Sequence, residues 1–214
     1  MIRVERCAAP EVLARNKNIW DEALRTARSP RQRKQALYRY GHRQIKSALR
    51  VVFHDKCAYC ESHISHVEYG HIEHFRPKSK QEFEHLAFEW DNLFLACSIC
   101  NGVEYKSDRF PSPKEGGPPI NPCDDSPEDH LSFFFDQVAK VATVVHKTER
   151  GKTTIDLVGL NRPELRAYRS RQVEKLAALA RFVATDERAR QILDEARSGD
   201  HEYAAFARAL LPRE

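Results

Sequence analysis

Two pairs of closely spaced cysteines constrain this chain more than any other feature. They are Cys57-Ala-Tyr-Cys60 and Cys97-Ser-Ile-Cys100, with 36 residues between the pairs. A CxxC turn sets two thiolates at the separation a tetrahedral ion needs, and two such turns complete a closed four-thiolate site of the structural zinc type. One CxxC alone would be rivalled by a redox dithiol. The 36 intervening residues must loop out from the ion, so whatever they carry is held against it. The chain has six cysteines and an N-terminus without the apolar stretch of an export signal, which argues against a disulfide framework and for the cytoplasm. Cys7 and Cys123 stand apart and read as incidental. No run reaches the roughly 18 apolar residues of a membrane span, so no membrane association is expected.

Charge divides the chain of 214 residues unevenly. Residues 1–56 hold 14 Lys/Arg against 5 Asp/Glu, residues 57–150 hold 9 against 16, and residues 151–214 hold 12 against 10. A basic arm before an acidic centre suggests an anionic partner at one end and a cation site in the middle. Periodicity predicts a helix over 10–28 with Leu13, Ile19, Trp20 and Leu24 inward, and a second helix over 30–53 started by Ser29-Pro30. Along that second helix Arg39, Arg43, Lys46 and Arg50 share one face, a candidate surface for phosphates or for an acidic partner. Residues 57–111 lose helical periodicity. Strands are expected at His71–Phe75 and Asn92–Ala96, and a short helix from Cys100 to about Lys106. Pro and Gly make 110–120 a loop. A hairpin is expected about Asp136-Gln137, and helices from Thr153 to Leu211. Gly151-Lys152-Thr153 is no phosphate-binding loop, because the Gly that motif needs five positions earlier is His146.

Between and beside the cysteine pairs stand HIEHFRPKSK and WDNLFLACSICN. This pattern resembles the HNH, or ββα-metal, endonuclease motif, with Glu73-His74 on the first strand, Asn92 before the second and Asn101 after the second cysteine pair. The resemblance implies an α+β fold, mostly helical, around a central zinc-stapled ββα-metal core. Four regions follow: a basic helical region over 1–56, the nuclease core over 57–111, a loop with short strands over 112–150, and a helical region over 151–214. Cys57, Cys60, Cys97 and Cys100 would hold the structural zinc. His74 would be the general base, since an imidazole near neutrality can take a proton from water. Glu73 and Asn101 offer hard oxygen donors for a catalytic Mg2+ or Mn2+. Asn92 would tie the loop that aims His74. Strand alternation sets Glu73 and His74 on opposite faces, which this assignment must reconcile; His71, two residues before Glu73, is a reserve ligand. Arg76, Lys78, Lys106 and Arg109 are placed to hold phosphate oxygens.

Further segments extend the likeness. CAYCE, EHFRPKS, WDNLFLAC, INP-DD at Ile120–Asp125 and the stretch Thr154–Arg169 resemble the HNH nuclease subunits of Septu-type and retron-associated antiphage systems. That likeness implies nucleic acid as substrate, DNA foremost, and an ABC/SMC-like ATPase as partner. Two other readings remain: a zinc-finger module that binds nucleic acid without cutting it, and an adaptor whose zinc knuckles serve only the partner interface.

Overall fold

A computed structural model describes residues 1–210; the last four residues, with the expected helix end at Leu211, lie outside it. The fold is mostly helical with two small antiparallel sheets. Helix α1 (Glu11–Arg25) turns Leu13, Trp20 and Leu24 inward. Ile19, expected with them, is 63% exposed. The core side of α1 is a narrower stripe than the sequence suggested, with Val12 and Ala23 at its margins.

The single helix expected over 30–53 is two helices. Ser29 caps α2 (Pro30–Leu37) through Gln32 N–H, with Pro30 in the first turn. A 3-10 turn, Tyr38–Gly41, follows. His42 then adopts φ −59° and ψ 136°, and its ring accepts from Gln44 N–H to start α3 (Arg43–Val52). Gly41 has little helical preference to hold the two halves together. Ile45 and Leu49 of α3 are fully buried.

Strands β1 (His71–His74) and β2 (Leu93–Ala96) pair antiparallel, with Glu73 opposite Phe94 and His74 opposite Leu93. All four β2 residues are buried, which suits a run without polar alternation. The expected helix from Cys100 to Lys106 is absent. The chain there winds through successive turns, with Gly102 N–H on the Ile99 carbonyl and Lys106 N–H reaching back to the Cys100 carbonyl. Gly102 disfavours a helix, and the buried contacts of the Lys106 side chain hold the backbone in this path.

A short α4 (Pro127–His130) leads into the hairpin of β3 (Leu131–Asp136) and β4 (Val141–His146). Helices α5 (Glu149–Val158), α6 (Pro163–Ala180), α7 (Glu187–Ala196) and α8 (Ala204–Leu210) complete the chain. Helix α6 packs on β4 and α7, and α8 on β3. One hydrophobic cluster runs from Leu13 and Trp20 through Phe53, Tyr59 and Phe94 to Val158, Val173 and Phe206, so both flanks share a core with the centre. Among the described residues no helix is long and apolar enough to cross a membrane.

Candidate functional site

The sulfurs of Cys57, Cys60, Cys97 and Cys100 lie within 4.8 Å of one another, and all four residues are buried. Burial raises the Cys57 thiol, while hydrogen bonds with Cys100 and Cys57 hold Cys60 well below the usual thiol range. A buried cluster cannot ionise four thiols without a cation, and a bound dication is what permits it. The donor set therefore fits a soft or borderline metal ion in closed tetrahedral geometry.

A residue that sequence reasoning passed over completes this cluster. Arg162, buried at the start of α6, donates from Nη1 to Cys100 Sγ at 3.4 Å and to the Val158 and Gly159 carbonyls. Burial opposes its charge, but the neighbouring Cys100 and Cys60 outweigh burial and raise its pKa. Its guanidinium stands 5.6 Å from the Tyr105 ring centre. That ring also explains Gly159, which ends α5 at φ +61°: a Cβ there would lie 2.1 Å from Tyr105 Cε1. The stretch containing Gly159 and Arg162 thus locks the C-terminal helices onto the thiol cluster.

Beside it, β1 and the turns after β2 border a cavity of about 280 Å3 lined by Glu73, His74, Lys78, Asn101, Asp108 and Tyr40, among others. Glu73 and His74 both line it despite strand alternation, because β1 ends at His74 and the chain turns away. His74 is 3% exposed. Its Nε2 lies 3.0 Å from the Ala87 carbonyl, so Nε2 carries the proton, and the buried Nδ1 has no partner among the described residues. Burial, with Lys78 nearby, lowers its pKa to about 3, and the ring is neutral at neutral pH.

Asn92 ties this corner together. Its Oδ1 accepts from Arg76 N–H at 2.7 Å, and its Nδ2 donates to the carbonyls of Arg76 and Leu86 at 3.0 and 3.1 Å. The loop that carries Ala87 to His74 is thereby pinned to the base of β2.

Glu73 is 4% exposed and pairs with the fully buried Lys106, while Tyr59 O–H donates to its Oε1 at 3.4 Å. Burial raises the Glu73 pKa, with Lys106 pulling it the other way. Lys106 also donates to the His74 carbonyl at 3.1 Å. The sequence reading of Lys106 as a phosphate-binding surface cation is therefore corrected: a buried carboxylate beside it draws the ammonium inward.

The other cations divide. Arg76 and Arg109 are exposed, and Arg109 donates to the Glu104 carbonyl at 2.8 Å. Lys78 is half-buried, 4.6 Å from the Tyr40 ring centre. The basic face drawn across a single helix does not exist in that form. Arg39 sits in the 3-10 turn, Arg50 is paired with Asp55, and Arg43 and Lys46 are left on α3. His71 is exposed at the mouth of the cavity. Tyr40 was missed by sequence reasoning altogether, yet its ring packs edge-on against His74 at 4.6 Å. No local signal marks it, because the helix break after Gly41 is what aims it.

Residues 57–107 match the family model of HNH endonucleases. Over this stretch the chain resembles HNH endonucleases. It resembles the Septu protein PtuB of Bacillus mycoides (strain KBAB4), at 30% identity over 203 positions that cover 80% of this chain and 66% of that protein. It also resembles the Septu protein PtuB of Bacillus thuringiensis, at 35% identity over 130 positions, 60% of this chain and 46% of that one. A retron Vc95 protein of Vibrio cholerae, assigned as an HNH endonuclease, is 28% identical over 135 positions, 62% of this chain and 64% of that one. The chain thus spans less than two thirds of each relative's length. No solved structure matches it.

Proposed function

We propose that this chain is a metal-dependent HNH nuclease that hydrolyses phosphodiester bonds. The observation that carries the reading is His74 Nδ1: a buried nitrogen lone pair without a partner among the described residues, on a ring locked through Nε2 by the Ala87 carbonyl, beside a cavity lined by Glu73 and Asn101. A buried polar atom left unpaired in a native protein calls for a partner such as water, an ion or a substrate. Neutral His74 takes the proton of an attacking water at Nδ1. Burial and Lys78 disfavour its imidazolium in the empty cavity, so the anionic phosphate of a bound strand must favour the charged ring for His74 to take that proton. Asn92 keeps the Ala87 loop in place and so fixes which imidazole nitrogen faces the water. Glu73 and Asn101 supply oxygen donors for Mg2+ or Mn2+, which would stabilise charge on the scissile phosphate and the leaving oxygen. The four cysteines hold zinc, which clamps β1, β2 and the following turns into one unit.

By likeness to the PtuB proteins we further propose a role in antiphage defence beside an ABC/SMC-like ATPase subunit. Such an ATPase encoded next to the chain should copurify with it.

The activity test uses the zinc-loaded chain on plasmid DNA and on RNA, in Mg2+, Mn2+ or EDTA. Cleavage by the wild type in either ion, none in EDTA, and a loss of about 10²–10⁴-fold in His74→Ala with zinc content unchanged is the expected result. Binding without cutting in every ion, alone and with the ATPase, would select the non-cleaving binding module instead. That reading draws on Glu73 being already paired with Lys106.

A further inference from the structure

We infer that the groove between α2 and Lys78 is a nucleotide subsite, and that it takes the unstacked base next to the scissile phosphate of a single strand. This rests on the nuclease reading for its position but not for its chemistry. The groove has a volume of about 430 Å3 and shares Tyr40 and Lys78 with the catalytic cavity, so a strand leaving one enters the other. That volume is within the range of sites for small ligands, about 300–1,000 Å3.

Its walls are apolar and aromatic: Pro30, Leu37, Tyr38 and Tyr40. Tyr38 is 62% exposed, so its ring face is open to a partner. Lys34 Nζ lies 5.7 Å from the Tyr38 ring centre, and Lys78 Nζ lies 4.6 Å from that of Tyr40. Each ring is thus paired with an ammonium that can meet a phosphate. Among the described residues no carboxylate lines the groove, and the remaining cation, Arg33, is answered by Glu84. Aromatic faces alternating with cations along a groove are the arrangement that binds single strands, since every base offers a π face and every linkage a charge. A paired duplex keeps its bases stacked and cannot offer one to Tyr38.

The test measures binding and not cleavage, so it stands apart from the nuclease reading. Zinc-loaded His74→Ala protein, without Mg2+ or Mn2+, is titrated with a fluorescent single-stranded oligonucleotide and with a blunt duplex of the same sequence. Adding Tyr38→Ala should weaken single-strand binding about tenfold and leave duplex binding unchanged, while Tyr38→Phe retains the affinity of the parent. Because Tyr38 is largely exposed, unchanged thermal stability and zinc content are expected and are checked alongside. An oligonucleotide carrying one photoreactive base should cross-link to the α2 groove. Absent single-strand binding, unchanged affinity in Tyr38→Ala, or an equal loss on both nucleic acids overturns the subsite. A selective loss here, together with no cleavage by the wild type in Mg2+ or Mn2+, would uphold the subsite and reject the nuclease.

Discussion

Replacing Lys106 with Met strips the counter-charge from a carboxylate that is 4% exposed, and takes a hydrogen bond from the His74 carbonyl. Removing one partner of a buried ion pair costs about 3–5 kcal/mol, because the other charge stays behind without solvent. That is a large share of a typical stability of about 5–15 kcal/mol. With an m-value of about 2 kcal/mol/M in urea, the midpoint should fall by about 1.5–2.5 M. The sign with pH follows from Glu73, whose pKa burial already raises. Without Lys106 it rises further, so the folded state binds a proton the unfolded chain does not hold. The deficit is then full at pH above that raised value and shrinks as pH falls toward the ordinary carboxylate range. Adding Glu73→Gln should return most of the lost stability, since a neutral pair of similar shape leaves no orphan charge. The assay is urea unfolding of the wild type, the single variant and the double variant at fixed free zinc, which holds the metal contribution constant. A single variant within about 1 kcal/mol of the wild type, or a double variant no more stable than the single, would refute the argument that Lys106 is internal.

Other perturbations separate the parts of the site. Arg162→Ala removes the donor to Cys100 and should lower zinc affinity about 10–100-fold in a chelator competition, the usual loss for a group bonded to a metal ligand. Asn92→Ala breaks three hydrogen bonds to the 76–86 loop; denaturation should show a loss of about 2–4 kcal/mol, and cleavage should fall with it even where the variant is folded. Because His74 stays neutral down to about pH 3, lowering pH from 8 toward 5.5 should not produce a protonation limb near the ordinary imidazole value in the cleavage rate; a limb there would show His74 to be solvated. Arg43→Glu with Lys46→Glu should reduce the salt slope of nucleic-acid binding by about two while zinc content holds.

What the sequence discloses of this fold follows from how local each signal is. The Cys pairs, the Ser29-Pro30 helix start and the hairpin about Asp136 are written in a few adjacent residues, and the structure contains each of them. The break after Gly41 is different. Arg39, Arg43, Lys46 and Arg50 keep helical spacing across it, so periodicity alone carries the helix through. The chain departs because His42 caps a new start and because Tyr40 gains a packing surface on His74 that no local window contains.

The same reasoning accounts for Lys106. A lysine after the second cysteine pair looks like a surface cation until β1 is folded, and then the carboxylate of Glu73 and the carbonyl of His74 are both within its reach. Burying that ammonium is also what replaces the expected helix with turns, since a helix from Cys100 would carry position 106 along a fixed path. Cation and carboxylate therefore specify the backbone, where sequence reading assigned one to substrate and the other to metal. An ion entering between Glu73 and Asn101 must compete with Lys106 for the same carboxylate. Under the proposed function, metal affinity and core stability at this corner are therefore coupled, and a change that relaxes one will be felt in the other.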